Sequence, residues 1–227
     1  MTLSDSPSAE SYSAALLCHP ATPCAAVHRI DVQVVWSAGA SLELRYTAAG
    51  DIDRLLVPAQ TEARRADKLW QHTCFEAFVA GSNAWTAASP AQATASGQRT
   101  LAGDAATDGT PAGQGEYYEL NFSPSTQWAI YRFSAYREGM TAVQPARPPR
   151  ITSHCDADGL TLEAHIELES LSGLRDAAGL RLALSAVIED KEHRLSYWAL
   201  AHPQGKPDFH HAHGFALRLP NRRSGCG

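Results

Sequence analysis

The sequence lacks a continuous apolar run of the length that crosses a membrane. No window in its 227 residues approaches the about 18 consecutive apolar residues that indicate a transmembrane helix. The N-terminal stretch MTLSDSPSAESYSAALL contains neither a positive charge nor the apolar core of a signal peptide. We therefore expect no membrane partner and a cytoplasmic location.

The sequence also lacks basic runs. Its 19 Lys and Arg residues are outnumbered by 24 Asp and Glu residues, which gives a formal net charge of -5. A general nucleic-acid-binding protein needs clustered positive charge to neutralise phosphates. We therefore expect no nucleic-acid partner.

Cysteine pairs at metal-binding or redox spacing are missing as well. The five cysteines occur at irregular spacing, as Cys18, Cys24, Cys74, Cys155 and Cys226. No CxxC motif is present, so a thiolate zinc site or a redox-active dithiol has little support. In a cytoplasmic protein these residues are expected to be reduced thiols.

Helical periodicity is scarce, and alternation of apolar and polar residues takes its place. Ten short segments with strand-like composition are separated by turn residues, as an all-β protein requires. They are IDVQVVW, SLELRYTAAG, DIDRLLVP, CFEAFVA, YYELNFSP, QWAIYRFSAY, LTLEAHIEL, LRLALSAVIED, HRLSYWAL and GFALRL. Short connections favour antiparallel pairing. The pattern predicts an antiparallel β-sandwich of the jelly-roll or immunoglobulin-like kind.

The domain organisation follows from composition. Residues 1–24 are rich in Ser, Ala and Pro, and they predict a flexible N-terminal segment. Residues 25–221 are expected to form one domain. Within it, residues 82–114 have too little apolar bulk to offset the entropy of ordering, so they predict a long disordered loop. Residues 222–227 predict a flexible tail.

Two strands bring carboxyl groups to one face of the predicted sheet. In YYELNF, alternation places Tyr118, Leu120 and Phe122 on the core face and Glu119 on the opposite face. Glu76 of CFEAFVA would lie beside Glu119 if the two strands pair. A carboxyl pair is the catalytic set of glycosidases, but no other motif in the sequence supports hydrolysis. We therefore predict that the chain is not an enzyme.

Three segments together resemble the DOMON-like proteins related to family 9 carbohydrate-binding modules. They are LWQHTCFEAFV, YYELNFSPSTQWAIYRFSAYREGM and YWALAHPQGKPDFHHAHGFALRL. In those modules a Trp precedes an acidic strand, and an aromatic-led segment closes the chain. Trp70 stands six residues before Glu76 in the same way, and Phe209 stands six residues before Phe215. The sequence departs from the module pattern at His72-Thr73-Cys74.

The resemblance implies a β-sandwich with a ligand-binding face, for sugars in some branches of the family and haem in others. Aromatic rings stack on the C–H faces of pyranoses, and polar groups bond the hydroxyls at the rim. We predict non-catalytic binding of a small carbohydrate or sugar-containing metabolite. The stacking rings would be Trp70 and Phe209, and the hydrogen-bonding residues would be Glu76, Arg132, Asp208 and His210. In the alternative, Trp70 caps the core and Phe209 closes its end.

The sequence also allows ligands other than sugars. His72, His211 and His213 are weak candidates for a transition-metal site. Haem would need axial ligands such as Met140 with a histidine. Family resemblance also allows a structural calcium ion. We predict no cofactor, with haem or a transition metal as the alternative, and the sequence names neither the ligand nor partner proteins.

Overall fold

Twelve strands form almost all of the regular structure. The computed structural model describes residues 10–37, 41–82, 114–175, 177 and 179–220. The strands are β1 (Glu10–Cys18), β2 (Val27–Ser37), β3 (Ser41–Gly50), β4 (Cys74–Gly81), β5 (Tyr117–Phe122), β6 (Trp128–Phe133), β7 (Thr141–Ala142), β8 (Arg150–Cys155), β9 (Gly159–Glu167), β10 (Gly179–Glu189), β11 (Leu195–Ala199) and β12 (Leu217–Pro220). Most of the predicted 82–114 loop and all of the 222–227 tail lie outside the described residues.

The strands join in the order β7-β6-β5-β4-β10-β11-β1-β2-β3-β9-β8, and β12 pairs with β10. Every pairing between named strands is antiparallel. Strand β1 belongs to both halves of the sandwich, because its residues 10–16 pair with β2 and its residues 17–18 pair with β11. The antiparallel β-sandwich expected from the sequence is confirmed.

The main core fills the space between the two halves. Alternate residues of β2 and β3 point into it, and so do alternate residues of β4, β5 and β10. The ring of Tyr46 in β3 lies 5.0 Å from that of Phe75 in β4. The Tyr46 hydroxyl also donates a 2.7 Å hydrogen bond to the Glu76 carbonyl. Aromatic contact and a buried hydrogen bond therefore fix the two halves against each other.

Strand β4 differs from β2 and β3 in being buried on both faces. All eight of its residues are buried, whereas β2 and β3 alternate between buried and accessible positions. A second apolar cluster lies on the outer face of β4, β5, β6 and β10. Leu69 and Phe215, from two covering segments at residues 65–72 and 200–216, belong to this cluster. The covering segments therefore turn an outer sheet face into a second interior.

The predicted flexibility of residues 1–24 is wrong for residues 10–18, which form β1. The strand carries mostly small side chains, so its apolar pattern is weak. It is ordered because its backbone is bonded to β2 and to β11.

DIDRLLVP was also predicted to be a strand, and this is wrong. The chain forms a 3-10 turn at Ile52–Arg54 instead. Ile52 and Leu55 are both buried and stand three residues apart, which is the period of a 3-10 turn. In a strand, two side chains that are three residues apart would point to opposite faces of the sheet.

No helix among the described residues is both long and apolar enough to cross a membrane.

The Tyr46 hydroxyl offers a test of how the two halves are joined. Tyr46→Phe removes the hydrogen bond to the Glu76 carbonyl while it keeps the ring. We expect the free energy of unfolding to fall by about 0.5–1.5 kcal/mol, the net contribution of one hydrogen bond. Denaturant unfolding measures this change. The exposed Thr152→Val is the control, and an equal effect of both variants would contradict this role of Tyr46.

Candidate functional site

A cleft of about 510 Å³ opens on the outer face of the β4-β5-β6-β10 half. Its floor consists of strand side chains, and its rim consists of residues from the covering segments and from the turn after β6. The lining residues are Trp70, Glu76, Phe78, Glu119, Phe133, Arg137, Met140, Val187, Tyr197, Pro207, Phe209 and His210. Four of the six residues predicted to bind ligand are in this set.

Trp70 is positioned by a short 3-10 helix, Leu69–Gln71, which begins after Lys68 in the left-handed conformation. Leu69 is buried in the second cluster and anchors this turn. The Trp70 ring stands edge-on to Tyr131, with ring centroids 5.8 Å apart and an interplanar angle of 71°. Trp70 is half-buried. Its indole is therefore held by an aromatic neighbour and still lines the cleft.

Phe209 reaches the same cleft from the 200–216 segment. Its ring lies 5.9 Å from that of Tyr197 in β11 and 6.5 Å from that of His202. Phe209 is also half-buried. The structure thus brings together the two aromatic residues that the sequence predicted as stacking platforms.

Glu76 and Glu119 lie side by side in the floor of the cleft. Strands β4 and β5 pair with Glu76 opposite Asn121 and Phe78 opposite Glu119, so the two carboxyl groups are diagonal neighbours on one face. They are only 2% and 6% exposed. The predicted pairing is confirmed, but both groups lie in the second interior and not on an open surface.

The two carboxyl groups have different partners. Glu76 accepts a long hydrogen bond of 3.4 Å from the Ser185 hydroxyl. Glu119 accepts a 2.8 Å bond from the Asn121 amide. Burial raises the pKa of Glu76 well above its usual value, and the charge of Glu119 adds to the effect. Burial also raises the pKa of Glu119, although Asn121 and the charge of Arg137 oppose it.

His210 connects Glu119 to Tyr117. Its Nδ1 is 2.8 Å from the Tyr117 hydroxyl, and its Nε2 is 3.6 Å from a Glu119 oxygen. Its backbone carbonyl accepts a 2.8 Å hydrogen bond from the Gln114 amide. Burial lowers the pKa of His210 to about 4, with a contribution from the positive charge of Arg137. The imidazole is therefore neutral at pH 7.

Arg137 lines the cleft, although it is not among the residues that the sequence predicted to bind ligand. It lies in the turn after β6, with a backbone φ of 55°, and its guanidinium is 2.7 Å from Asp208. Strand alternation gives no information about residues in such a turn.

Two predicted ligand-binding residues are not in the cleft. Asp208 lines a neighbouring groove and binds Tyr136 and Arg137. Burial opposes its ionisation, but these hydrogen bonds outweigh burial and lower the pKa of Asp208. Arg132 alternates with Tyr131 and Phe133 of the second cluster, so it faces away from them and pairs with Glu116.

The metal candidates are not gathered by the fold. His211 and His213 line the neighbouring groove, whereas His72 binds Glu189 through Nδ1 at 2.7 Å. Among the described residues no group of three or more His, Cys, Asp or Glu has the arrangement of a metal site. Met140 and His210 both line the cleft. Both ring nitrogens of His210 already face protein atoms, so its arrangement does not suit an axial haem ligand.

Cys74 shares the face of Glu76 but is fully buried. Burial raises the pKa of the Cys74 thiol well above its usual value, and the nearby Glu76 charge adds to this. Its thiol lies 3.8 Å from the Asn121 side-chain oxygen. His72, two residues earlier, is bound to Glu189 and gives no activated Cys-His pair.

No family model matches the chain, and no curated protein sequence matches it. Structure comparison finds two solved chains, each a family 9 carbohydrate-binding module from Caldicellulosiruptor kristjanssonii. The module in complex with glucose is 11% identical with a TM-score of 0.42, over 88% of this chain and 80% of that chain. The module in complex with cellotriose is 13% identical with a TM-score of 0.37, over 78% of this chain and 67% of that chain. The DOMON-like relation stays a prediction.

Glu76→Gln tests the electrostatic state of the cleft floor. An unfolded glutamate has a pKa of about 4.3, and the folded pKa of Glu76 is higher. Its contribution to stability is therefore fully present below about pH 4.3 and is lost as pH rises through the folded pKa. We expect the variant to gain stability over the unmodified protein as pH rises from about 5 to about 8.

Denaturant unfolding at several pH values measures that difference. Glu62→Gln, at an exposed position, is the matched control. A stability difference for Glu76→Gln that is independent of pH would show that the pKa of Glu76 is not raised in the folded protein.

Proposed function

We propose that this protein binds a small carbohydrate or sugar-containing metabolite in the cleft, without catalysing a reaction on it. The observation that carries the proposal is that one cleft contains two half-buried aromatic rings, Trp70 and Phe209, together with the buried carboxyl groups of Glu76 and Glu119 and the half-buried imidazole of His210. Sugar-binding sites need this combination, because a pyranose has both apolar C–H faces and a polar rim.

The size of the cleft supports a small ligand. Its volume of about 510 Å³ lies within the usual range for small-molecule sites, which runs from about 300 to about 1,000 Å³. Trp70 and Phe209 are each held by another aromatic ring, so little side-chain entropy would be lost when a sugar stacks on them.

The non-catalytic part of the proposal rests on the carboxyl groups. A glycosidase needs one protonated acid and one ionised carboxylate, so its site pushes the two pKa values apart. Burial raises the pKa of both Glu76 and Glu119. Cys74 offers no alternative nucleophile, because burial raises its pKa as well. These properties suit a pair of hydrogen-bonding groups better than an acid and a nucleophile.

Haem is the second ligand that the family resemblance allows. Met140 lines the cleft and is 58% exposed, so one possible axial ligand is accessible. His210 does not suit the second axial position, because both of its ring nitrogens already face protein atoms. An absorbance spectrum of the purified protein tests this point, since a Soret band at one haem per chain would overturn the carbohydrate proposal.

Trp70→Ala tests the stacking platform. We expect calorimetric titration with a panel of neutral mono- and disaccharides, including D-glucose and cellobiose, to detect binding to the unmodified protein. The variant should bind the same sugar about 10-fold more weakly, because a stacking ring contributes on the order of 1 kcal/mol beyond its buried area. Trp70→Phe should retain most of the affinity.

Arg132→Ala is the matched control for this experiment. Arg132 lies on the opposite sheet face, where its partner is Glu116, so its removal should leave affinity unchanged. Equal affinity of Trp70→Ala and the unmodified protein would remove Trp70 from the binding site. A loss in Arg132→Ala as large as that in Trp70→Ala would place the ligand elsewhere.

A further inference from the structure

The floor of the cleft contains two acidic groups for which the protein supplies little positive charge. Among the described residues, none forms an ion pair with Glu76, and its hydrogen bond from Ser185 is long at 3.4 Å. Glu119 has a histidine 3.6 Å away. A buried carboxylate is costly unless a cation or several strong donors compensate for its lost hydration.

The nearby cations are either committed to other acids or uncharged. Arg137 is bound to Asp208 at 2.7 Å, and Arg132 pairs with Glu116 on the other face of the sheet. His210 is uncharged at pH 7, because burial lowers its pKa to about 4. Within the described part of the chain, the lining of the cleft includes no lysine. The interior of the cleft is therefore short of one positive charge whenever Glu76 or Glu119 is ionised.

The other titratable groups around the two acids do not supply the missing positive charge. Every element packed against them contributes side chains that are neutral at pH 7 or already paired. The titratable and charged groups that interact with Glu76 or Glu119 from this face are Cys74 of β4, Tyr117 of β5, Tyr131 of β6, Arg137 of the turn after β6, and His210 of the 200–216 segment, and Tyr46 of β3 lies on the other side of β4.

Aromatic rings line the same cleft as these acids. Phe78 and Phe133 line the cleft beside Glu119, and Tyr197 lines it with Trp70 and Phe209. A cation near aromatic rings is attracted by their π-electrons, and this attraction grows when water is excluded. Carboxyl groups within an aromatic cleft are thus suited to an ammonium group, which gains from both kinds of contact.

We propose that the natural ligand carries a protonated amine, as an amino sugar does, and that its ammonium group lies between Glu76 and Glu119. The proposal rests on the carbohydrate function above and names the class of sugar. Glu76 and Glu119 are diagonal neighbours on adjacent strands, so both long side chains reach a group placed between them. The sugar ring then lies against Trp70 or Phe209.

This arrangement couples binding to proton release. In the free protein, burial favours the protonated forms of Glu76 and Glu119. An ammonium group favours their ionised forms, so the complex forms with loss of a carboxyl proton to solvent. Affinity for the amine therefore rises with pH until the amine itself loses its proton. A neutral sugar gains nothing from carboxylate ionisation and gives no such rise.

The test compares D-glucosamine with D-glucose and N-acetyl-D-glucosamine, which share a ring but lack the charged amine. Calorimetry at pH 7, in two buffers with different ionisation enthalpies, measures both affinity and protons released. We expect D-glucosamine to bind about 10-fold or more tightly than either neutral sugar, because a charge-assisted bond at a buried site is stronger than a neutral one. Proton release should accompany D-glucosamine only.

Variants assign the effect to the two acids. Glu76→Gln should remove most of the preference for D-glucosamine over D-glucose and reduce proton release. Glu119→Gln is the second variant, for the case in which Glu76→Gln does not fold by circular dichroism. Glu116→Gln, on the opposite side of the sheet, should behave as the unmodified protein.

The possible outcomes separate this inference from the carbohydrate function. Equal affinity for D-glucose and D-glucosamine, or tighter amine binding without proton release, overturns the amine inference and leaves the carbohydrate function intact. Ethanolamine, an amine without a ring, is added to the panel. Binding of ethanolamine as tight as that of D-glucosamine supports the ammonium site and overturns the carbohydrate function. Failure of all four compounds to bind at millimolar concentration overturns both.

Discussion

The burial of β4 on both faces is the constraint on which the rest of the structure depends. One face, with Phe75, packs in the main core between the two halves of the sandwich. The other face carries Glu76 and Phe78 and forms the floor of the cleft. Because both faces are buried, a polar side chain on this strand must find its partners within the protein or in a ligand. The raised pKa of Glu76 is the direct consequence.

The second interior exists only because two chain segments cover the sheet. The 65–72 segment is anchored by Leu69, and the 200–216 segment is anchored by Phe215. A hydrogen bond from Gln114 to the His210 carbonyl ties the second segment to the residues just before β5. Together the segments exclude water from the carboxyl groups and bring Trp70 and Phe209 to one cleft. The same contacts thus create the electrostatic and the aromatic properties of the site.

Charge is divided unevenly between the edge and the interior of the cleft. Asp208 forms an ion pair with Arg137, and the Tyr136 hydroxyl donates a hydrogen bond to the same carboxylate. Glu76 and Glu119 lie deeper, with a hydroxyl, an amide and a neutral imidazole as neighbours. Among the described residues, no lysine or arginine forms a salt bridge with either of these two acids.

Alternating apolar residues in the sequence determined the fold class and most strands, and the bounds of β3 agree with the predicted segment SLELRYTAAG. The same two-residue period placed Glu76 and Glu119 on one face of the sheet. Applied to β6, it also places Arg132 on the opposite face. It gave no position for residues outside strands, so the sequence did not show that Arg137 lines the cleft or that Asp208 lines the neighbouring groove. Strand β1 is ordered by its backbone partners, which its own sequence does not specify. Only the tertiary structure decided which strands are covered on both faces, as β4 and β5 are, because covering depends on contacts between segments far apart in the chain.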